Sequence, residues 1–319
     1  MRLNLRQMHS AQGNGMRAQS VLSGLLLFCL CPLYLRADDS LASRLSDLAK
    51  QHKGRVAIAV KHLSSGESFC LKADEPMPTA SLIKLPVMIE VYQQVAEGKL
   101  KLSDQITLRK EDEVPGSGVL TDLFSPGLTF PLRDAVRLMI DVSDNTATNL
   151  VLDKIGIGAT ARRMEEWGFP NTKIHSKSFR RDTSVFPARS KQFGLSSTTA
   201  REMVGILEKL HQGKLVSPDA CKEMITILKR CDDRDKFPRL LPAGVQVAHK
   251  TGWVSDVSTD AGILYWAKGP VALCVLTSSN EDKRWSVDNA AHLLCARVAR
   301  EVYDYFNDKP GAPLAAAKK

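Results

Sequence analysis

The sequence predicts an α+β fold, in which one five-stranded antiparallel sheet is covered by the N- and C-terminal helices and interrupted by an all-helical lobe. Strand-like runs occur near both ends of the 319-residue chain, and helical periodicity fills its middle. The length is enough for one large domain or two small ones. Strands from both ends can share a sheet if the helical middle is inserted as a second lobe, and a cleft between the lobes is then the expected site.

The N-terminal part of this sheet follows one amphipathic helix. The run "SLASRLSDLAKQHKG" has helical periodicity. The runs "RVAIAVKHL" and "ESFCLK" alternate as strands do, and the "SSG" between them indicates a hairpin. Residues 38–80 and 240–309 are therefore expected to form the α/β lobe of a single domain over 38–309.

Residues 81–239 are predicted to form the helical lobe. Its periodic segments are 81–97, 131–142, 145–155, 158–167, 198–212 and 217–230. Three strand-like runs follow, "GVQVAHKTG", "STDAGILYWA" and "PVALCVLTSS", and a last helix is expected over 286–306.

The first 37 residues are predicted to be a secretory signal peptide. Arginines precede a short apolar run, "VLSGLLLFCLCPLYL", and Arg36-Ala37 precedes the polar "DDS". The run is short for a membrane span, which needs about 20 apolar residues, and an uncleaved N-terminal anchor is the alternative. We expect a periplasmic or secreted protein without stable membrane insertion after cleavage, and a disordered tail over 310–319.

Charge and cysteine content exclude several classes of function. Loss of residues 1–37 removes four arginines and no acid, so the formal charge falls from +9 to +5. The sequence has no Lys/Arg stripe with interleaved aromatic residues, so a nucleic-acid partner is not expected. It has no Cys/His cluster with zinc spacing, so no cofactor is expected. Five cysteines remain, of which at least one must be free, and Cys274 with Cys295 is the disulfide to check. We expect a monomer.

Ser81 and Lys84 in "TASLIKLPVM" form the first candidate site. A serine hydroxyl is a poor nucleophile until a base takes its proton, and a lysine can be that base only if burial or a nearby cation lowers its pKa. Three residues apart at the apolar start of a helix, the two side chains share a face. Alone, this spacing is weak evidence, because it occurs by chance in many helices, where the serine is usually an N-cap and the lysine reaches to solvent.

Two further triplets argue against the interpretation of Ser81 as a simple N-cap and of Lys84 as a surface lysine. Ser143-Asp144-Asn145 lies between two predicted helices, and Lys250-Thr251-Gly252 ends a predicted strand. With S-x-x-K before them, S-D-N and K-T-G form the signature of class A β-lactamases and penicillin-binding proteins. The sequence therefore resembles the class A β-lactamase family, within the penicillin-recognising serine hydrolases. The resemblance extends over nearly all of the mature chain and includes "VPGSGVL" before the second motif and "LLPAG" before the third.

The resemblance implies a β-lactamase/transpeptidase-like fold and a serine hydrolase that opens the cyclic amide of a β-lactam through an acyl-enzyme on Ser81. Lys84 would accept the serine proton, and Ser143 would relay a proton to the leaving nitrogen. Lys250, in the same pocket, would help to keep Lys84 neutral by like-charge repulsion. The implied partner is a small-molecule β-lactam or a peptidoglycan peptide.

The same resemblance assigns substrate binding to residues near these four. Asn145 would hold the amide of the substrate side chain. Lys250 and Thr251 would bind the substrate carboxylate, and Gly252 would allow its close approach. The backbone N–H groups of Ser81 and Trp253 would form the oxyanion hole.

The long loop "FPNTKIHSKSFRRDTSVFPARSKQFGLS" departs from the family. In the family this loop carries a Glu that activates the water for deacylation, whereas here Asp182 is the only acid and arginines flank it. Glu165 and Glu166 lie on the preceding helix and are expected to be solvated. We therefore expect slow deacylation, unless Asp182 or His175 folds over Ser81.

Two further cations and two alternative functions stay open. Lys236 and Arg239 are candidates to support carboxylate binding, or are solvated loop residues. A D-Ala-D-Ala carboxypeptidase with the same acylation machinery is one alternative, and a non-turnover penicillin-binding sensor is the other. Element order favours a β-lactamase over the carboxypeptidase, the missing loop Glu weakens it, and the intact motifs argue against a degenerate binding domain.

Overall fold

The strands predicted at both ends of the chain meet in one sheet. The computed structural model describes residues 40–308. Its strands are β1 (Arg55–His62), β2 (Ser68–Leu71), β3 (Met77–Pro78), β4 (Gln105–Thr107), β5 (Thr129–Pro131), β6 (Lys173–Ile174), β7 (Ser196–Thr198), β8 (Gln246–Val254), β9 (Val257–Tyr265) and β10 (Val271–Ser278). The main sheet has the order β2-β1-β10-β9-β8 with antiparallel pairing throughout, so the predicted five-stranded antiparallel sheet is confirmed.

The helices fall largely where the periodicity predicts them. They are α1 (Leu41–Gln51), α2 (Lys84–Ala96), α3 (Leu120–Leu123), α4 (Leu132–Asp141), α5 (Asn145–Ile155), α6 (Ile157–Glu166), α7 (Pro187–Phe193), α8 (Ala200–His211), α9 (Pro218–Leu228) and α10 (Ala290–Asp308). Several begin at side-chain caps, because Ser40, Thr199 and Ser217 each accept a hydrogen bond from the backbone N–H three residues ahead.

Helices cover both faces of the sheet. Ile58 and Val60 of β1 belong to one apolar cluster with residues of α1 and α10, whereas the alternate residues Ala57 and Ala59 belong to a second cluster with residues of α2, α4, α5, α8 and α9. Every residue of β10 is consequently buried, as expected for a strand with helices on both sides. The second face is thus covered by helices from the middle of the chain, including α8.

Three features of the sequence-based prediction have different outcomes. The last helix begins at Ala290 rather than at 286, because the side chains of Asp282 and Asn289 accept the first N–H groups of the helix and hold the preceding residues in a loop. Cys274 and Cys295 are both buried free thiols, so the pairing considered for them is wrong. The predicted signal peptide and tail lie outside the described residues, and within 40–308 no helix is long and apolar enough to cross a membrane.

Candidate active site

Ser81 lies on a tight 3₁₀ turn, Ala80–Ile83, that leads directly into α2. Strands hold this turn from two sides. The hydroxyl of Thr259 in β9 donates to the carbonyl of Thr79 at 2.8 Å, and the hydroxyl of Ser196 in β7 donates to the carbonyl of Ala80 at 3.2 Å. Ala80 itself has a positive φ of 46°, a conformation that a non-glycine residue adopts only when its surroundings enforce it. The turn therefore positions Ser81 rigidly at the edge of the main sheet.

Gly252 in β8 packs directly against this turn. A Cβ atom at position 252 would lie 2.3 Å from the Thr79 carbonyl oxygen and 2.9 Å from the Leu82 backbone nitrogen. A third close atom is the Thr259 hydroxyl oxygen, at 2.6 Å. We therefore expect Gly252→Ala to displace the Ser81 turn, because two of these three atoms belong to the backbone, and to lower stability by about 1–3 kcal/mol. Thermal unfolding measures the loss. Gln246→Ala, at the exposed far end of the same strand, should leave the melting temperature unchanged, and a stable Gly252→Ala variant would contradict the close packing.

Lys84 is the first residue of α2, and its side chain is fully buried, with 0% exposure. Its ammonium nitrogen lies 2.7 Å from the Ser143 carbonyl oxygen, 2.9 Å from Asn145 Oδ1 and 3.2 Å from Ser143 Oγ. Burial, reinforced by the positive charge of Lys250, holds the pKa of Lys84 well below its ordinary value, against the opposing charge of Asp144. The charged form of this side chain is therefore disfavoured at its buried position.

Ser143 connects the two buried lysines of the site. Its hydroxyl oxygen lies 3.2 Å from Lys84 Nζ and 3.1 Å from Lys250 Nζ, and its φ of 55° is positive. Lys250 in β8 is also buried and donates to the Thr251 carbonyl at 2.9 Å. The pKa of Lys250 is lowered, chiefly by burial. The Ser143 hydroxyl therefore lies between the side-chain nitrogen of Lys84 and that of Lys250.

Asp144 holds the second motif in place through its buried carboxylate. Its position in the sequence indicates only part of this role. As N-cap of α5 it accepts from the Ala147 N–H at 2.7 Å, and it also accepts from the N–H groups of Val119 and Leu120 at 2.7 and 2.8 Å. The carboxylate is buried. The cap was recognisable in the sequence, whereas the two bonds to the "VPGSGVL" segment depend on tertiary structure.

The residues expected to bind substrate lie around the same cavity. Asn145 uses Nδ2 to donate to the Pro115 carbonyl at 3.1 Å, so both ends of its amide are already fixed. Thr251 and Gly252 lie in β8, and Trp253 follows them. The cavity has a volume of about 1130 Å³. All the predicted site residues other than Lys84 are among its lining residues, namely Ser81, Ser143, Asn145, Lys250, Thr251, Gly252 and Trp253.

The two cations near the third motif have different environments. Lys236 is almost completely buried and forms an ion pair of 2.6 Å with Asp233, so the alternative of a solvated loop residue is wrong for it. Its ammonium group also lies 5.9 Å from the Trp253 ring centroid. Arg239 instead pairs with Asp288 at 2.5 Å, away from the lining of the cavity.

The long loop presents no carboxylate to the cavity. Asp182 is solvent-exposed, with 70% of its side chain accessible, and lies 3.5 Å from Arg180. His175 is buried behind the loop, where Nδ1 lies 2.9 Å from the Gly194 carbonyl oxygen and Nε2 3.2 Å from Ser197 Oγ. Neither residue lines the cavity, so the structure does not bring either one over Ser81. Glu165 and Glu166 are exposed at the end of α6, as expected.

Two parts of the long loop line the cavity. They are Ser176, Lys177, Ser178, Phe179 and Arg181 in one part, and Gln192, Phe193, Gly194 and Leu195 in the other. Asn149 of α5 fixes the first part at Ser178, because its side chain accepts from the Ser178 N–H at 2.8 Å and donates to the Ser178 carbonyl at 3.1 Å. Sequence reasoning missed this clamp. Its only sequence signal is an Asn within a helix predicted to be apolar on one side, which is too common to interpret.

Aromatic side chains flank the cavity, and no pattern in the sequence indicates that they lie together. Trp285 is 69% exposed and contacts Trp253 with ring centroids 4.2 Å apart. Phe179 is 63% exposed and has a positive φ of 58°. All three residues line the cavity, so its walls combine apolar rings with the cations of the motifs.

Comparison with known proteins relates this chain to β-lactamases. The family model described as "Beta-lactamase enzyme family" matches residues 40–306. A β-lactamase from Sphaerobacter thermophilus DSM 20745 is 27% identical with a TM-score of 0.74, over 85% of this chain and 98% of that chain. A structure titled PBP-A is also 27% identical, with a TM-score of 0.73 over 84% and 96%. An ancestral class A β-lactamase is 24% identical, with a TM-score of 0.74 over 83% and 100%, which bears on the fold alone.

Proposed function

Because the chain belongs to the beta-lactamase enzyme family, we propose that it is a serine hydrolase of the class A type, which opens the amide of a β-lactam through an acyl-enzyme on Ser81. One observation carries the proposal. A fully buried lysine, Lys84, stands three residues after Ser81 and is hydrogen-bonded to two residues of the second motif.

The hydrogen bonds of Lys84 suit a proton acceptor. A neutral amine has two N–H donors and one lone pair. The Ser143 carbonyl at 2.7 Å and Asn145 Oδ1 at 2.9 Å can take the two donors, which leaves the lone pair to accept a proton. In the proposed acylation Ser81 Oγ attacks the carbonyl carbon of the lactam while its proton passes to Lys84. The N–H groups of Ser81 and Trp253 would stabilise the oxyanion.

Collapse of the tetrahedral intermediate requires a proton on the leaving nitrogen. Ser143 Oγ can deliver it and recover a proton from Lys84, because the two groups are 3.2 Å apart. Lys250, 3.1 Å from the same oxygen, favours the negative charge that develops on Ser143 during the transfer. The ammonium of Lys250 and the hydroxyl of Thr251 would bind the carboxylate that most β-lactams carry beside the lactam nitrogen.

Covalent trapping tests the proposal directly. We expect intact-mass spectrometry to show one adduct of the mass of benzylpenicillin per protein, and we expect Ser81→Ala to carry none. Ser255→Ala, which removes another serine lining the cavity, should still be acylated. An unmodified wild-type protein, or an adduct that survives Ser81→Ala, would refute the proposed acyl-enzyme.

Thr251→Val should weaken the reaction with carboxylate-bearing β-lactams much more than with a neutral ester. The exchange preserves the shape of the side chain and removes only the hydroxyl, and a hydrogen bond to a charged group contributes about 1.5–3 kcal/mol, or roughly tenfold to 150-fold in rate. Acylation rates with penicillin and with a neutral activated ester measure the difference. Equal losses on both substrates would contradict carboxylate recognition by Thr251.

A peptidoglycan peptidase is the second candidate function, and the loop over the cavity favours keeping it. No carboxylate from residues 169–196 lines the cavity. A β-lactamase needs such a group to activate the water that releases the β-lactam acyl group. A peptidase that releases this acyl group only slowly does not need it. Incubation with a peptide ending in D-Ala-D-Ala would distinguish the two. Release of D-alanine that depends on Ser81 supports the peptidase, whereas acylation by penicillin without such release supports the β-lactamase-type hydrolase.

A further inference from the structure

An exposed aromatic ring lies at the cavity, on a turn of the long loop. Phe179 is among the lining residues, yet 63% of it is accessible to solvent. Its φ of 58° is in the left-handed region, which costs free energy for a bulky residue. The proposed acylation makes no use of this side chain. Because an apolar ring gains nothing from contact with water, the stability of the fold does not account for this arrangement.

Hydrogen bonds hold the backbone on both sides of Phe179. The side chain of Asn149 binds the N–H and the carbonyl of the preceding residue, at 2.8 and 3.1 Å. The hydroxyl of Thr183 accepts from the Lys177 N–H at 3.0 Å and donates to the Arg180 carbonyl at 2.6 Å. The Arg180 N–H closes the turn by donating to the Lys177 carbonyl at 3.3 Å. These bonds fix the strained backbone of Phe179, so the position of its ring is set before any ligand binds.

The ring of Phe179 packs over a glycine that also borders Asn145. A Cβ atom at position 116 would lie 3.1 Å from each of two ring carbons, Cε2 and Cζ, and 2.7 Å from Asn145 Nδ2. Gly116 has a positive φ of 92°, so its backbone and its surroundings both favour glycine. The edge of the Phe179 ring and the amide of Asn145 are therefore neighbours. They border the part of the cavity where the side-chain amide of the substrate is expected.

The Phe179 ring has no aromatic partner, unlike the other exposed ring of the cavity. Trp285 packs against Trp253 with ring centroids 4.2 Å apart. Within residues 40–308, no aromatic ring pairs with that of Phe179. The exposed surface of this ring can therefore receive a group from a ligand, and an aromatic group gains most by leaving water there.

We propose that Phe179 is a specificity-determining residue, which selects substrates whose acyl side chain carries an aromatic group. This role rests on the proposed acyl-enzyme. When the side-chain amide of the substrate lies at Asn145, the group beyond that amide reaches the neighbouring Phe179 ring, and the two rings pack edge to face or offset. Because the protein ring is already fixed, little conformational entropy is lost on binding. A methyl group in the same place leaves most of the Phe179 ring in water.

Two penicillins with the same fused rings and the same carboxylate test this role. Benzylpenicillin carries a phenyl group beyond its side-chain amide, whereas its acetamido analogue carries only a hydrogen in place of that phenyl group. Below saturation, we expect benzylpenicillin to acylate the wild-type protein at least about tenfold faster than the analogue, as followed by intact mass. Equal rates with the two penicillins would overturn the proposal.

Variants at position 179 separate the ring from the loop that carries it. Phe179→Ala should reduce the preference for benzylpenicillin about tenfold, whereas Phe179→Tyr keeps the ring and should retain the preference. Leu123→Ala removes another exposed apolar side chain, which does not line the cavity, and should leave the preference unchanged. A wild-type preference in Phe179→Ala would overturn the proposal.

A binding measurement tests the contact without a covalent step. In protein that carries Ser81→Ala, calorimetric titration with benzylpenicillin gives the Kd, which the further change Phe179→Ala should raise about tenfold. The Kd of the acetamido analogue should change much less. If neither penicillin forms an adduct with the wild-type protein, the acyl-enzyme is refuted, and the Kd comparison still tests Phe179. A Kd for benzylpenicillin that does not respond to Phe179→Ala would overturn the proposed contact.

Discussion

Replacing Lys84 by alanine should slow acylation of Ser81 by penicillin by about 10²–10⁴-fold, because the amine that accepts the serine proton is removed. The protein should stay folded. The exchange removes a buried amine whose charged form is costly in this environment, and the Ser143 carbonyl keeps a second donor, the Ser117 hydroxyl at 3.0 Å. Time courses of adduct formation by intact mass, together with thermal unfolding, measure both effects.

The arginine variant at the same position separates a base from a positive charge. Lys84→Arg retains a cation but cannot be deprotonated at any working pH, so it should be as inactive as the alanine variant. In the wild-type protein the acylation rate should fall as acid protonates Lys84. The lowered pKa places this loss below the range in which an ordinary lysine titrates. Acylation of Lys84→Ala at the wild-type rate would mean that Lys84 is only structural.

Release of the acyl group should be slow, and a cephalosporin should therefore give a stoichiometric burst followed by poor turnover. A missing general base costs about 10²–10⁴-fold, or roughly 3–5 kcal/mol of barrier. The long loop supplies no such base, because Asp182 is in solvent and His175 is buried behind the loop. Stopped-flow and steady-state rates on one chromogenic cephalosporin measure the two steps separately.

Variants in the loop give this prediction its controls. Asp182→Asn and His175→Ala should leave the release rate unchanged, since neither residue lines the cavity. Ser178 does line it, on backbone that Asn149 holds from both sides. Ser178→Glu should therefore raise release by about tenfold or more, and Ser178→Gln, of equal size but without a base, should not. Turnover of the wild-type protein at hundreds per second without a burst would show that another group activates the water.

The sequence was sufficient for the sheet and for the residues of the three motifs, because both depend on local patterns. The short, strand-like runs of β1 and β8–β10 are typical of strands that are buried on both faces, and the apolar surroundings of Lys84 in the sequence already indicate a buried amine. The start of α10 was harder. Residues 286–289 read Ser-Val-Asp-Asn, which are weak helix formers. The side chains of Asp282 and Asn289 accept the N–H groups of Ala290 and Ala291, where the helix begins.

The supporting contacts could not be predicted, because each joins segments distant in the chain. Asp144 reads as a helix cap, yet two of its three bonds go to Val119 and Leu120. Lys236 reads as a loop cation, yet its ion pair with Asp233 and the nearby Trp253 ring hold it in the interior. Such contacts follow from packing of the two strand-rich ends against the helical middle, and no periodicity in the sequence records them.

The neighbour relation between β1 and β10 has a consequence for biosynthesis. The first long strand to leave the ribosome pairs along its whole length with the last one, from Arg55 opposite Ser278 to His62 opposite Val271. Until translation has passed β10, one edge of β1 has no native partner, and an unpaired apolar edge invites association between chains. Pairing between such distant segments is also slow to form. A chaperone that shields β1 in the nascent chain should therefore raise the yield of folded protein. The gain should be smaller for a protein in which strands adjacent in the sheet are also consecutive in the sequence.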